Sequence, residues 1–166
     1  MYKTLENPVY SRTDSPLGPL LLAVTAQGLA GAWFVRGQRD TPDPATWTED
    51  PGHPVLRQAA AQLEEYFAGR RQHFDLPLDL RHGTVFQQAV WQALCSIPFG
   101  QTTSYGALAR QIDRPKAVRA LGAAVGANPL GIIVPCHRVI GADGSLTGYA
   151  GGLDRKTALL HLEGLR

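Results

Sequence analysis

A cysteine and a histidine are adjacent at Cys136 and His137, within the sequence IVPCHRVIG at 133–141. A cysteine thiolate is a strong nucleophile, and a neighbouring base or positive charge lowers the thiol pKa from about 8.5. Arg138 adds positive charge, and Pro135 interrupts an apolar run with the composition of a buried strand, which favours a turn that exposes the cysteine. Neighbouring strand residues point to opposite faces, so His137 would reach the sulfur through a water or across a sharp turn. The alternative is a buried, unreactive cysteine.

A carboxylate that orients the histidine would complete this nucleophile–base pair. Glu163 stands out because it lies in the last turn of a predicted helix, where the helix dipole disfavours an anion. A residue that breaks a local rule often has a partner elsewhere in the fold. We therefore expect Glu163 to accept a hydrogen bond from His137. The alternative is a solvated glutamate at a helix end.

The cysteine content excludes several classes of protein. Only two cysteines, Cys95 and Cys136, are present, which argues against a disulfide framework and a cysteine-rich zinc module and favours a reducing cytoplasm. Cys95 has no nearby base and is interpreted as structural. His53, His73 and His82 lie in polar surroundings and are interpreted as surface residues.

The charge and hydropathy patterns bear on partners and location. No apolar run is long enough to cross a membrane, and the first fifteen residues lack the apolar core of a signal peptide, so we expect a cytoplasmic protein. Residues 1–82 have a net charge of −2 and residues 83–166 a net charge of +4. A basic excess beside the Cys-His pair favours a polyanionic partner, although a chance variation in surface charge would look the same.

The chain divides into two predicted domains, 1–82 and 83–166, because its pattern changes from strand-like to helical near residue 82. In the first domain, short apolar runs separated by glycine and proline predict two or three strands. The segment 36–54, rich in proline and aspartate, predicts a loop. Apolar spacing then predicts a helix over 54–67.

The second domain is predicted to be mostly helical. Thr84 and Ser104 are helix-capping residues, and a further helix begins at Pro115. The two short helices after Ser104, joined by a tight turn, are typical of a helix-turn-helix, although an ordinary helical hairpin has the same pattern. The Cys-His segment follows as a predicted strand, and a final helix covers 153–163.

The second helix of this pair has few large side chains. Val118, Leu121 and Val125 form a predicted core-facing stripe. Another face is lined by Ala120, Ala124 and Ala127, with Gly122, Ala123 and Gly126 near it. Such a helix either packs tightly against another helix or enters the DNA minor groove, which is only about 6 Å wide. Arg119, beside that face, would then reach into the base stack.

Six segments in order resemble the O6-alkylguanine-DNA alkyltransferases, the methylated-DNA–protein-cysteine methyltransferases. The segments are FQQAVWQAL, IPFGQTTSYGALA, PKAVRALGAAVGANP, GIIVPCHRVIG, GSLTGYAGGLDRK and LLHLEG. The N-terminal SPLGPLLLAVTAQGLAGAWF resembles the smaller domain of that family more loosely. The resemblance implies an α/β protein: a small, ribonuclease-H-like N-terminal α/β domain and a mainly helical C-terminal domain with a winged-helix-like helix-turn-helix.

The resemblance also implies a role for individual residues. Cys136 is the implied alkyl acceptor, His137 the base that acts through a water, and Glu163 the carboxylate that polarises it. Asn128 is implied to brace the turn that carries the acceptor, while Tyr105 and Lys156 assist departure of the guanine. The guanine pocket is implied to be lined by Tyr105, Val139, Tyr149 and Ala150. The implied DNA-binding residues are Arg119, which fills the gap left by the flipped base, and Ala120, Ala123, Ala124 and Ala127.

The implied activity is single-turnover repair of DNA. The alkyl group of O6-alkylguanine, and of O4-alkylthymine, passes irreversibly to the cysteine after the nucleotide is flipped out of the duplex. We expect double-stranded DNA as the partner, no cofactor and a monomer. The N-terminal half has no cysteine, so we expect none of the structural zinc that some members carry. Nor do we expect the transcription-regulating variety, since no phosphotriester-accepting domain is attached. Ala150 stands where some members have serine, which makes the pocket less polar.

Two other functions remain open on the sequence. One is a lesion-binding protein that recruits other repair factors, although such alkyltransferase-like proteins lack the acceptor cysteine. The other is a Cys-His hydrolase or transferase of small substrates, which would not need an alanine-lined helix beside an arginine. A gain of one methyl group on Cys136 would separate repair from both.

Overall fold

The computed structural model describes residues 4–165. An N-terminal sheet with one helix is followed by a mainly helical second half, which confirms the predicted α/β class. The strands are β1 Val9–Thr13, β2 Leu20–Thr25, β3 Gly28–Phe34, β4 Thr48–Glu49, β5 Thr103–Ser104 and β6 Val139–Ile140. The helices are α1 Pro54–Phe67, α2 Val85–Leu94, α3 Tyr105–Gln111, α4 Val118–Gly126 and α5 Leu153–Leu162.

The N-terminal sheet has the strand order β3-β2-β1-β4. The β1–β2 and β2–β3 pairs are antiparallel, and β4 pairs in parallel with β1. Strands β2 and β3 are buried along their whole length, as expected for strands that are covered on both faces. The prediction of a loop over 36–54 was wrong at one place, because the two-residue strand β4 lies within this segment.

Helix α1 covers one face of this sheet. It begins at Pro54, where a missing N–H costs no helical hydrogen bond, and the His53 ring accepts a hydrogen bond from the Val55 amide at 3.2 Å. Its buried residues, spaced three or four apart, are Leu56, Ala59, Leu63 and Tyr66. The helix predicted over 54–67 is confirmed, and Tyr66 ends its buried stripe on the side that faces the second domain.

The first helices of the second domain begin at the predicted capping residues. The Thr84 hydroxyl accepts a hydrogen bond from the Gln87 amide, and the Gln87 side chain accepts one from the Thr84 amide, which forms a capping box. The Ser104 hydroxyl caps α3 by accepting a hydrogen bond from the Ala107 amide. Helix α4 begins at Val118, three residues later than predicted, because residues 115–117 form a separate turn. Helices α3 and α4, with the short parallel β5–β6 pair, form the helix-turn-helix unit.

The segment predicted as a strand around the Cys-His pair is a turn instead. Residues 131–134 form no strand, and Ile132 has a φ of +73°, which no strand residue adopts. A single turn of 3-10 helix, Cys136–Arg138, follows and leads into β6. The apolar composition therefore reports burial here rather than extended backbone.

The two halves share one hydrophobic core and are tied by backbone hydrogen bonds. The Ala32 amide donates to the Pro129 carbonyl at 2.8 Å, and the Gly131 amide donates to the Ala32 carbonyl at 3.1 Å. The Arg155 guanidinium stacks 4.1 Å from the Phe34 ring centroid. It also donates to the Leu17 and Gly151 carbonyls, at 3.0 and 3.2 Å. Among residues 4–165, no helix combines the length and hydropathy needed to cross a membrane.

Candidate active site

Asn128 braces the turn that leads to Cys136. Its side-chain oxygen accepts a hydrogen bond from the Leu130 amide at 2.9 Å, and its side-chain nitrogen donates to the Val134 carbonyl at 2.8 Å. Between these two bonds lies Ile132, a β-branched residue in the left-handed region. Such a conformation costs about 1–3 kcal/mol and persists only where the surroundings enforce it. The two hydrogen bonds of the buried Asn128 amide help to hold Ile132 in this conformation.

Cys136 lies against a cavity of about 430 Å³, a volume within the usual range for small-molecule sites. Its side chain is largely buried, with 8% of the residue exposed. Burial raises the pKa of the Cys136 thiol, an effect that the Asn128 amide and the positive charge of Lys156 reduce but do not overcome. The expected lowering of this pKa by Arg138 was therefore wrong, because the guanidinium is turned away into an ion pair.

His137 and Glu163 form the hydrogen bond expected from the sequence. The His137 Nε2 atom lies 2.7 Å from Oε2 of Glu163, and both side chains are inaccessible to solvent. Burial alone would raise the pKa of Glu163, but hydrogen bonds from His137 and Arg138 outweigh it and lower the pKa to about 2. Because Glu163 is thus a carboxylate, Nε2 of His137 is the protonated nitrogen that donates to it.

The second ring nitrogen of His137 is then an acceptor. Burial lowers the pKa of His137 and outweighs the attraction of Glu163, which leaves a neutral imidazole. Its Nδ1 atom is buried and makes no hydrogen bond to any residue within 4–165. Buried polar atoms rarely lack a partner, and such exceptions are frequent at functional sites. A neutral, buried imidazole with one free lone pair, next to a thiol in sequence, has the properties of a general base.

Two residues that contact Glu163 were not recognised as its partners from the sequence. Arg138 donates from Nε to Oε1 at 2.8 Å and from Nη2 to Oε2 at 3.0 Å, a bidentate ion pair. The Tyr66 hydroxyl donates to Oε2 at 2.5 Å from the N-terminal domain. Tyr66 has the spacing of an ordinary core residue of α1. The sequence pattern around it therefore does not indicate a contact with a residue as distant as Glu163.

Three of the four predicted pocket residues line the cavity, and one does not. Tyr105, Tyr149 and Ala150 lie on its surface, whereas Val139 is fully buried behind it. The Val139 carbonyl is occupied by Lys156 Nζ, which donates to it at 2.7 Å. A contact of the Val139 carbonyl with a bound base stays a prediction.

Lys156 also lies behind the cavity. It is fully buried, and its Nζ atom donates to the Thr147 carbonyl at 2.8 Å as well as to the Val139 carbonyl. Its position therefore links β6 to the segment that lines the cavity near Tyr149. Gly151 completes this segment, because a Cβ atom there would lie 2.7 Å from the Tyr149 ring.

The cavity also has lining residues that sequence reasoning missed. They come from the loop after β3 in the N-terminal domain: Gln38, Arg39 and Asp40. The Gln38 side chain accepts a hydrogen bond from the Phe34 amide at 2.9 Å and donates to Asp40 at 2.9 Å, so this loop has a defined conformation. Because 36–54 had only the composition of a loop, the sequence contained no signal for this contribution.

The predicted small-residue face of α4 is correct in part. Arg119, Ala120 and Ala123 are exposed, and Ala127 is half-buried beside the cavity. Ala124 does not belong to this face, because it is only 3% exposed and its carbonyl accepts a hydrogen bond from the Trp91 indole at 2.9 Å. The core-facing stripe of α4 consists of Leu121, Ala124 and Val125.

Val118, predicted to be in that stripe, is 40% exposed, since it opens the helix where no neighbouring element covers it. His82, predicted to be a surface residue, is buried instead, with Nδ1 3.7 Å from the Asp79 carboxylate. Cys95 is exposed at the end of α2. None of these three residues lines the cavity beside Cys136.

The chain matches two family models and several known proteins over most of its length. Residues 9–80 match the family model of the 6-O-methylguanine DNA methyltransferase ribonuclease-like domain, and residues 85–165 match that of its DNA-binding domain. A methylated-DNA–protein-cysteine methyltransferase of Methanosarcina barkeri is 50% identical over 154 residues, which cover 93% of this chain and 96% of the relative. The protein of that name from Mycobacterium tuberculosis is 54% identical over 154 residues, 93% of this chain and 91% of the relative.

Solved structures agree at the level of the fold. The structure of Mycobacterium tuberculosis OGT in complex with DNA superposes with a TM-score of 0.85 at 52% identity, covering 93% of this chain and 92% of the other. An O6-methylguanine-DNA methyltransferase from Pyrococcus kodakaraensis shares the fold at 23% identity, with a TM-score of 0.66 over 95% of this chain and 99% of the other. The chain belongs to the methylated-DNA–protein-cysteine methyltransferase family.

Proposed function

We propose that this protein repairs DNA by moving the alkyl group of O6-alkylguanine to its own Cys136. The observation that carries the proposal is the arrangement at the cavity: a thiol on its surface, followed in sequence by a neutral imidazole that is hydrogen-bonded to a buried carboxylate. In the transfer, a bond forms between Sγ and the alkyl carbon while the bond between that carbon and O6 breaks. The thioether that results is stable, so each molecule acts once.

The first step is removal of the thiol proton. Because burial raises the pKa of Cys136, little thiolate exists at neutral pH until a base accepts the proton. His137 accepts it at Nδ1 through a bridging water, and Glu163 stabilises the imidazolium that forms. The positive charge of Lys156, which lowers the thiol pKa against the effect of burial, stabilises the thiolate.

The second requirement is a good leaving group. Guanine departs as an O6 anion that must take up one proton, which balances the proton lost by the thiol. The Tyr105 hydroxyl lies on the cavity surface, where it donates to the Thr147 carbonyl at 3.4 Å and accepts from the Thr147 hydroxyl at 3.3 Å. It would leave the Thr147 carbonyl to donate to a bound base. Lys156 acts from behind the lining, through its charge and by holding the segment with Tyr149 and Ala150, rather than by touching the base.

Access to O6 requires the nucleotide to leave the duplex. The exposed small-residue face of α4, Ala120 and Ala123 with Ala127 at the cavity edge, would lie in the minor groove. Arg119 would fill the space left by the flipped base, which offsets part of the unstacking cost of a few kcal/mol. The same pocket would accept O4-alkylthymine. Mycobacterium tuberculosis OGT has been crystallised in complex with DNA, which supports DNA binding by this chain.

The deciding experiment is incubation with duplex DNA that contains O6-methylguanine, followed by intact-protein and peptide mass spectrometry. We expect a gain of one methyl group on Cys136 and none in Cys136→Ser, which should still bind the lesion. Lesion binding without a mass gain in the unaltered protein would identify a recruiting protein, and repeated turnover of a thioester or amide would identify a hydrolase.

We further propose that the protein works as a monomer in the cytoplasm. Both cysteines are free thiols, as a reducing compartment requires. Size-exclusion chromatography with light scattering, with and without duplex DNA, tests the monomer, and a dimeric mass in the absence of DNA would contradict it.

A further inference from the structure

Tyr66 connects the N-terminal domain to the base of the transfer site. The residue is only 1% exposed and lies near the end of α1, and its hydroxyl donates to Oε2 of Glu163 at 2.5 Å. Its ring is fixed by aromatic neighbours, with centroids 5.5 Å from Phe74 and 6.3 Å from Phe99. The direction of the hydroxyl is therefore set by packing rather than by a mobile side chain.

The same carboxylate oxygen receives the hydrogen bond from His137. Oε2 accepts from the Tyr66 hydroxyl, from Nε2 of His137 at 2.7 Å and from Nη2 of Arg138 at 3.0 Å. Each donor withdraws negative charge from the oxygen, so the donors compete. The oxygen that stabilises an imidazolium at His137 thus shares its charge with a phenol from the other domain.

The remaining charges around His137 are cationic. Arg138 adjoins it in sequence and Lys156 reaches the same region from α5, and both disfavour a second proton on the ring. Glu163 is the anion whose hydrogen bond and charge raise the His137 pKa. Tyr149 lies near the phenol of Tyr66. A change in the charge available on Glu163 is therefore transmitted directly to the imidazole.

We propose that Tyr66 is a positioning residue of the transfer site, which acts through Glu163 to keep His137 a neutral base with Nδ1 free. The proposal rests on the function proposed above in one respect, namely that His137 removes the Cys136 proton. A neutral imidazole is the form that can accept this proton, and a carboxylate with undivided charge would favour the protonated form instead.

Tyr66→Phe removes the hydroxyl and leaves the packed ring. We expect the pKa of His137 to rise by about 0.5, since only part of a charge-assisted hydrogen bond is transmitted to the ring. The population of the thiolate–imidazolium pair then rises about threefold on the neutral plateau. Below the His137 pKa the thiolate fraction depends on the thiol alone, so the rates of variant and unaltered protein should converge there.

The assay is the pH dependence of Cys136 alkylation by iodoacetamide, followed by peptide mass spectrometry from about pH 5 to pH 9, the range in which histidine and cysteine titrate. Cys95, an exposed thiol that is not among the hydrogen-bond partners of Glu163, is an internal reference in the same sample. The matched control is Tyr10→Phe, the same chemical change in strand β1, where the ring packs on Trp47 away from the cavity. We expect the control to retain the unaltered pH profile.

A second perturbation has the opposite sign. Replacing Tyr66 by 3,5-difluorotyrosine keeps the hydroxyl and makes it a stronger donor, so the plateau rate should fall and the acid limb should move to lower pH. If neither replacement moves the profile, or if both only slow the reaction with unchanged midpoints, Tyr66 has a packing role and the proposal is wrong.

The readout separates this proposal from the function on which it rests. Iodoacetamide reacts with the thiolate without DNA, so the Tyr66 effect is measured even if no methyl group is ever transferred. A shifted profile without methyl transfer would disprove the repair function and leave the Tyr66–Glu163–His137 coupling intact. Methyl transfer with an unshifted profile would support the repair function and disprove the Tyr66–Glu163–His137 coupling.

Discussion

Glu163→Gln tests whether the buried ion pair is the main electrostatic support of the site. The carboxylate accepts four hydrogen bonds: from Tyr66, from His137 and two from Arg138. A glutamine has one oxygen and an NH2 group, so at least one donor would face another donor. The change also leaves the buried Arg138 charge without a carboxylate partner, although Nη1 keeps its hydrogen bond to the Ile97 carbonyl at 2.6 Å.

The expected loss follows from this geometry. Removing one partner of a buried ion pair costs about 3–5 kcal/mol, because an uncompensated charge stays in the interior. The pKa of Glu163 in the folded protein is about 2. Relative to an unfolded value of about 4.3, that shift corresponds to about 3 kcal/mol of stability. The two routes agree on a loss of about 3 kcal/mol at neutral pH.

The pH dependence gives the sharper test. A depressed carboxyl pKa stabilises the fold at pH values above the unfolded pKa, and this stabilisation is lost as the pH falls toward 2. The gap in unfolding free energy between the unaltered protein and Glu163→Gln should therefore shrink to roughly half its neutral value by about pH 3. Urea denaturation of both proteins, at neutral pH and at about pH 3, measures this gap.

Glu65→Gln is the matched control. Glu65 pairs with Arg71 at 3.2 Å near the surface, with 40% of its side chain exposed, so its loss should cost less than about 1 kcal/mol. Equal losses for the two variants, or a Glu163→Gln gap that is the same at both pH values, would refute the assignment of Glu163 as a buried, ionised acceptor.

Three further predictions concern the turn, the cavity and the DNA face. Asn128→Ala should lower the unfolding free energy by about 2–4 kcal/mol, because two buried backbone groups lose their hydrogen-bond partner. A loss below about 1 kcal/mol in urea denaturation would mean that the turn is stable without the Asn128 side chain. Asp40→Asn should lower the pKa of Cys136, which the Asp40 charge raises, and so speed iodoacetamide alkylation at mildly alkaline pH; an unchanged rate would contradict this influence. Arg119→Ala should slow repair of duplex DNA far more than reaction with free O6-benzylguanine, and equal losses would exclude a role in base extrusion.

The sequence predicted best what depends on local chemistry. Thr84 and Ser104 cap helices because each needs only its own hydroxyl and an amide a few residues later. The His137–Glu163 contact was also predicted, because an anion at the end of a helix requires a partner. In both cases one residue breaks or satisfies a rule that can be read from its neighbours.

Features set by the tertiary structure could not be predicted in the same way. The apolar run before Cys136 has the composition of a strand, but two hydrogen bonds from Asn128 and a left-handed Ile132 make it a turn. Ala123 and Ala124 are adjacent alanines, but Ala124 lies on the buried face of α4 with Leu121 and Val125, where its carbonyl accepts a hydrogen bond from the Trp91 indole. The contact between Tyr66 and Glu163 spans most of the chain, so no pattern in either segment indicates it.

Arg155 has a consequence for how the cavity holds its shape. Its guanidinium rests on the Phe34 ring, bonds to the Leu17 carbonyl of the sheet domain and bonds to the Gly151 carbonyl beside Tyr149. A tilt of the N-terminal sheet would therefore pull on the lining segment through a side chain that is not itself part of the lining. The position of the lining segment at Gly151 is thus tied, through a contact outside the cavity, to the packing of one domain against the other.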